Sequence, residues 1–186
     1  MTRDNRSKYA ILGMLEICPM SGYDIRKFAA MSIAHFWKED YSHIYPTLKI
    51  LLAEGLALKS EEAQAGKVTR HLYSITDAGR KSLSAWILEK PNPPNLRIEL
   101  LLKVFLGSKL APERLVQMLE EETERCAVAL KELEKTENHL CEMVAAGGET
   151  GESARFQLMT LRYGKSYYGS LGTWCAVTAG ELRVPV

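Results

Sequence analysis

Ser42, His43, Tyr45, Thr47 and Lys49 bring hydroxyls, an imidazole and an ammonium into one short stretch, with Pro46 among them. Such groups bond base edges or phosphate oxygens, and a lysine neutralises backbone charge, so the set has the chemistry of nucleic-acid recognition. Taken alone, the same segment also fits an ordinary amphipathic helix with a wet outer face. A second set follows downstream, where Lys67, Arg70 and His71 gather around Gly66. Cations on a glycine-containing turn can straddle a phosphate backbone, or can merely guard a hairpin edge. Arg26 and Lys27 supply two further cations upstream.

Catalysis finds no comparable footing. His35, His43, His71 and His139 stand in no recognisable catalytic spacing with Asp, Ser or Cys, and the sequence shows no glycine-rich phosphate loop. Cys18, Cys126, Cys141 and Cys175 show no Cys-x-x-Cys spacing, so reduced thiols are expected in place of a zinc site. The chain is therefore expected not to be an enzyme and to carry no metal or cofactor.

The elements that must hold the polar groups can be read from hydropathy. Lys8–Ile17 predicts a largely buried first helix, ended by Cys18-Pro19. Ser21-Gly-Tyr-Asp24 fits a capping box opening a second helix with Ile25, Phe28 and Ala29 on its inner face. Ser42 is the expected cap of a third helix, with Pro46 in its first turn. Its expected core stripe is Ile44, Leu48, Leu51 and Leu52, and His43, Tyr45, Thr47 and Lys49 are expected to face outward. Gly55 suits the helix C-terminus. Leu56–Leu58 and Arg70–Ile75 read as two strands around the Gly66-Lys67 turn, and Thr76 can cap a fourth helix running through Trp86-Ile87. A polar-faced helix leading into a small basic hairpin is the layout of a winged helix-turn-helix, which places one helix in a DNA groove and a loop on the neighbouring backbone.

Pro91, Pro93 and Pro94 break this pattern and predict a stiff linker over residues 91–95, between an N-terminal domain 1–90 and a helical domain 96–186. Leu100–Leu106 reads as a buried helix. A long charged helix opens at Pro112, with Leu119, Cys126, Leu133 and Leu140 recurring every seven residues. That seam is expected to dimerise, the alternative being packing within its own domain. After Gly147-Gly148, a last helix carries Phe156, Met159, Tyr163, Tyr167 and Trp174 near one face, and Trp174 joins the expected dimer contacts. Trp86, Phe105, Tyr163 and Tyr167 form a candidate pocket for a small aromatic effector, with core or dimer packing as the other reading. The fold class expected is mainly α with a small β wing.

Charge follows the same division. The formal net charge of the 186 residues is +1, but residues 1–88 hold 12 Lys and Arg against 9 Asp and Glu. The cationic excess thus lies on the half expected to meet phosphates. No apolar run approaches the roughly 20 residues needed to span a bilayer, and the polar start does not resemble a secretory signal, so a cytoplasmic location is expected.

Several segments together are similar to the PadR-like transcriptional regulators. They are Ser21-Gly22-Tyr23-Asp24-Ile25, Ile44-Tyr45-Pro46-Thr47-Leu48, Glu54-Gly55-Leu56, Gly66-Lys67 and Tyr73-Ser74-Ile75-Thr76-Asp77-Ala78-Gly79-Arg80. Phe36-Trp37-Lys38, Leu96-Arg97-Ile98-Glu99 and a final helix carrying Trp174 resemble the branch containing virulence-gene activators. The resemblance implies a homodimeric regulator binding double-stranded operator DNA. It implies His43, Tyr45, Pro46 and Lys49 on the recognition helix, with Lys67 and Arg70 in the wing. The wing departs from the family's usual pattern, because Val68-Thr69 separates Lys67 from Arg70 where a basic pair beside a proline is common. The rival reading is a protein-interaction module, with the winged domain as scaffold and the long helix as working surface.

Overall fold

The computed structural model describes residues 6–37, 41–62, 70–94, 96–109 and 111–184. The chain divides into two compact units, Met1–Pro93 and Pro94–Val186. Among the described residues it is mainly helical with one small two-stranded sheet.

The first unit contains α1 (Ser7–Ile17), α2 (Gly22–Ser32), α3 (Ile44–Ala53), β1 (Ala57–Glu62), β2 (Arg70–Ile75) and α4 (Asp77–Ile87). Its core joins Ile11, Leu12 and Leu15 of α1, Ile25 of α2, and Ile44, Leu48 and Leu51 of α3, with Tyr73 and Ile75 of β2. The expected capping box forms: the Ser21 Oγ accepts from the Asp24 N–H, and the Asp24 carboxylate accepts from the Ser21 N–H at 2.9 Å. This satisfies two backbone donors that the helix cannot.

The entry to α3 differs from expectation. Tyr41–His43 is a turn of 3-10 helix, and His43, already near-helical in φ and ψ, caps α3 without a side-chain bond. Ser42 is therefore not the cap. The chain winds into the helix before reaching it, so no extended cap residue is left for a hydroxyl to serve.

The strands pair antiparallel, with Ala57 opposite Ile75 and Glu62 opposite Arg70. Met20 adds a single bridge on the other side of β2: its N–H donates to the Tyr73 carbonyl at 3.0 Å, and the Tyr73 N–H donates back at 2.9 Å. Thr76 caps α4 as expected, accepting from the Gly79 N–H at 3.0 Å while donating to the Gly55 carbonyl at 2.8 Å. The end of α3, the end of β2 and the start of α4 are thus pinned at one point. Trp86 of α4 stacks on Tyr9 of α1, with ring centroids 4.7 Å apart.

The second unit contains α5 (Glu99–Phe105), α6 (Pro112–Ala146) and α7 (Gly148–Leu182). α6 and α7 form a hairpin turned at Gly147 and Gly148, both at positive φ. Side chains meet along the hairpin in two clusters. Leu119 packs with Cys175 and Ala179, and Leu140 packs with Ala154, Leu158 and Leu161. The four heptad residues are therefore spent largely inside the chain: Leu119, Cys126 and Leu140 are buried within it, and Leu133 packs against the second cluster. Hairpin formation accounts for this, because α7 runs back along α6 and covers the apolar stripe first. Lys165 reaches Glu137 across the hairpin at 2.5 Å. The helix α5, expected to be buried, has no fully buried residue; Leu100 and Val104 touch the first cluster while Leu101, Leu102 and Phe105 stay exposed. Among the described residues no helix is long and apolar enough to cross a membrane.

Candidate nucleic-acid interface

Ile44, Thr47, Leu48 and Leu51 of α3 face inward. Positions i, i+3, i+4 and i+7 share one helical face. Thr47 is accordingly 2 % exposed, so its hydroxyl is not available to bases. The outward set is smaller than expected: Ser42, His43, Tyr45, Pro46 and Lys49 are exposed, joined by Ile50. Ser42 and His43 lie in the 3-10 turn that leads into α3, and Tyr45 and Pro46 in its first turn, the end of a recognition helix that reaches base edges, with Lys49 and Ile50 further along.

Tyr45 lies over the start of α2. A Cβ placed on Gly22 would sit 2.7 Å from the Tyr45 ring, so the ring is seated where only a glycine allows it. This close approach belongs to the Ser21-Gly22-Tyr23 stretch, and only the fold reveals it. Tyr45, Gly22, Tyr23, Asp24, Arg70, His71 and Tyr73 surround a shallow cleft of about 470 Å³ at the junction of α2, α3 and β2. Burial pushes the Tyr73 phenol above its ordinary value, with a further push from the neighbouring Tyr45.

Arg70 does not project as a free wing cation. Its guanidinium pairs with the Asp24 carboxylate and lies 3.4 Å from the Ser21 Oγ. Burial works to raise the Asp24 pKa. The Ser21 backbone and side-chain donors and the Arg70 charge outweigh it, and Asp24 is held below its ordinary 3.8. A folded-state pKa below the unfolded one stabilises above the unfolded value and is lost as pH falls through the folded value. The contribution of Asp24 should therefore be complete above about pH 4 and vanish in more acid solution. Urea midpoints measured across that range should fall more for the wild type than for D24N.

His71 lies across from Glu61 at 3.7 Å on the exposed face of the hairpin. Lys67, expected at the wing tip, lies outside the described residues. Arg26 and Lys27 are exposed on α2. Of the candidate effector-pocket residues, Trp86 is engaged with Tyr9, whereas Phe105 and Tyr163 are 83 % and 65 % exposed and Tyr167 meets Tyr168 edge-on. Phe105 and Tyr163 thus line no enclosed space within their own unit. Trp174 packs against the cluster around Leu119.

A helix with a short polar outer set, followed by an antiparallel hairpin and pinned to a preceding capped helix, defines a winged helix-turn-helix protein. Comparison with known proteins carries this further. Residues 11–85 match the transcriptional regulator PadR-like family, and residues 96–183 match the virulence activator alpha C-terminal family. The negative transcriptional regulator PadR of Bacillus subtilis is 31 % identical over 128 residues, which is 68 % of this chain and 70 % of that one. A crystal structure of Bacillus subtilis PadR in complex with operator DNA shares the fold with a TM-score of 0.78 at 24 % identity, over 94 % of this chain and 98 % of that one. The Vibrio cholerae virulence activator AphA superposes with a TM-score of 0.73 at 26 % identity, over 95 % and 97 % of the two chains. The chain belongs to the PadR-like family of transcriptional regulators. It is a regulator of transcription and not an enzyme.

Proposed function

We propose that the chain binds operator DNA as a homodimer, with residues 1–90 as the DNA-binding domain, 91–95 as the linker and 96–186 as the dimerisation domain. The observation that carries this reading is the outward set of His43, which caps α3, with Tyr45, Pro46 and Lys49 on the helix, beside the cleft where α2 and β2 converge. α3 enters the major groove, where Tyr45 and His43 bond base edges or phosphates and Lys49 neutralises backbone charge. Ser42, Arg26 and Lys27 flank it as weaker backbone contacts, and Lys67 reaches the phosphates from the wing. The negative regulator PadR, solved with operator DNA, supports the same use of this fold.

The dimer contact moves away from the heptad residues, which α7 already covers. Phe156, Met159, Tyr163 and Tyr167 of α7 follow one another at helical spacing and are 63 %, 50 %, 65 % and 43 % exposed, so they are the better candidates. Two wings held by such a dimer would meet successive major-groove faces about 34 Å apart. We place the regulator in the cytoplasm with its DNA.

Fluorescence anisotropy against duplexes tiling the upstream region of its own gene, over a salt series, tests the reading. Tight binding to one tile with a steep salt slope is expected. K49A should weaken that binding about tenfold and reduce the slope by about one. Unchanged affinity in both K49A and Y45A would remove α3 from the interface.

A further inference from the structure

Arg70 lines the cleft that Tyr45 of α3 also lines, yet its charge is already answered within the protein. One oxygen of Asp24 takes the Ser21 N–H at 2.9 Å, the Ser21 hydroxyl at 2.8 Å and the Arg70 guanidinium. The two partners come from the start of α2 and the start of β2, and their side chains are 34 % and 39 % exposed. The pair therefore stands at the rim of the cleft beside Tyr45, on the surface assigned to DNA. The Asp24 carboxylate sits at a helix N-terminus and engages an arginine, so it answers the Arg70 charge as an anionic phosphate oxygen would.

We propose that Asp24 is a positioning residue for DNA binding: it holds the Arg70 guanidinium in the cleft and withholds one cation from the DNA backbone. The inference rests on the reading of this face as the DNA-binding surface. Its physical content is a statement about counterions. Each phosphate neutralised by a cation adds about 0.9 to the slope of log affinity against log salt. An arginine already paired with a carboxylate contributes almost none of that increment. The pair thus keeps the sequence-independent attraction low and leaves discrimination to the outward residues of α3. A regulator gains from this, because genomic non-specific sites compete with the operator in proportion to that attraction.

The test measures affinity for a random-sequence duplex between low and moderate salt by fluorescence anisotropy, using the full chain. D24N and D24Q remove the charge while keeping a side-chain oxygen for the Ser21 N–H; Gln in particular preserves the capping-box pattern, so one neutral variant remains informative if the other folds poorly. Both should steepen the salt slope by about 0.9, which corresponds to about eightfold tighter random-duplex binding at 0.1 M salt. The double variant D24N/R70Q should return to the wild-type slope, because the freed cation is gone. D77N makes the same change of charge on α4, where Asp77 pairs with Arg80 at 3.0 Å, and should leave the slope unchanged. Wild-type slopes in both D24N and D24Q would overturn the proposal, as would a gain that persists in the double variant. If the wild type binds no duplex at any salt, the DNA-binding reading falls and this inference with it, an outcome distinct from steep wild-type binding with unaltered variants.

Discussion

G79A is expected to lower the unfolding free energy of the N-terminal unit by about 3 kcal/mol, a large loss for one methyl group. A Cβ at position 79 would lie 2.2 Å from the Leu56 carbonyl oxygen and 2.7 Å from Ile75 Cγ1. The first of these neighbours is backbone and cannot swing away. It also accepts the Thr76 N–H at 3.1 Å, so moving it strains the bond that joins the end of β2 to the start of β1. The Thr76 hydroxyl is committed on both sides, to the Gly55 carbonyl and from the Gly79 N–H. Alanine at 79 must lift α4 away from this junction or shift the hairpin, and either breaks contacts that fix the wing relative to α3. A drop of roughly 12 °C or more in the unfolding midpoint of a domain this size follows from such a loss. Thermal and urea denaturation check it, and a midpoint within 2 °C of the wild type, a margin of about half a kcal/mol, would contradict the packing described at Leu56.

The features legible in sequence were those set by neighbours three or four residues apart. The Ser21–Asp24 capping box and the Thr76 cap each need only local spacing, and both form as the residue types dictate. The hairpin was likewise visible from alternation in Arg70–Ile75. Thr47 reads by its chemistry as an outward hydroxyl, yet its spacing from Ile44 and Leu51 carries the answer, because helical geometry places i+3 on the inner face. Other features depend on contacts between distant segments. Arg70 reads as a wing cation until Asp24, 46 residues earlier, is brought beside it. Gly22 reads as a helix-start residue until Tyr45 lies against it. Trp86 reads as a pocket aromatic until α4 packs on α1 and stacks it on Tyr9. The seven-residue repeat on α6 shows that a partner helix exists, and it does not say whether that helix is in the same chain or another.

L119A discriminates between those two partners. Leu119 is fully buried against Cys175 and Ala179 of α7, with Val116, Leu171 and Trp174 around them. Truncating such a leucine removes its transfer free energy and leaves a cavity, at a cost of about 3 kcal/mol. Little collapse can refill the site, because α6 and α7 are already close: a Cβ on Gly172 would lie 3.2 Å from the Cys126 Cβ. The loss should appear as a lower denaturation midpoint whose difference from the wild type is the same at every protein concentration, since the lost contacts lie within one chain. A substitution on the exposed α7 face has the opposite signature. Y163E removes a side chain that is 65 % exposed in the single chain and should cost that chain little. It should instead shift the association equilibrium, seen as dissociation at protein concentrations where the wild type sediments as a dimer. A change in association for L119A without loss of stability, or a loss of stability for Y163E without change in association, would reverse the assignment and return the heptad residues to the dimer interface. The two variants separate cleanly because one hairpin face cannot serve both purposes: once α7 has buried Leu119, association must use side chains that the hairpin leaves outside.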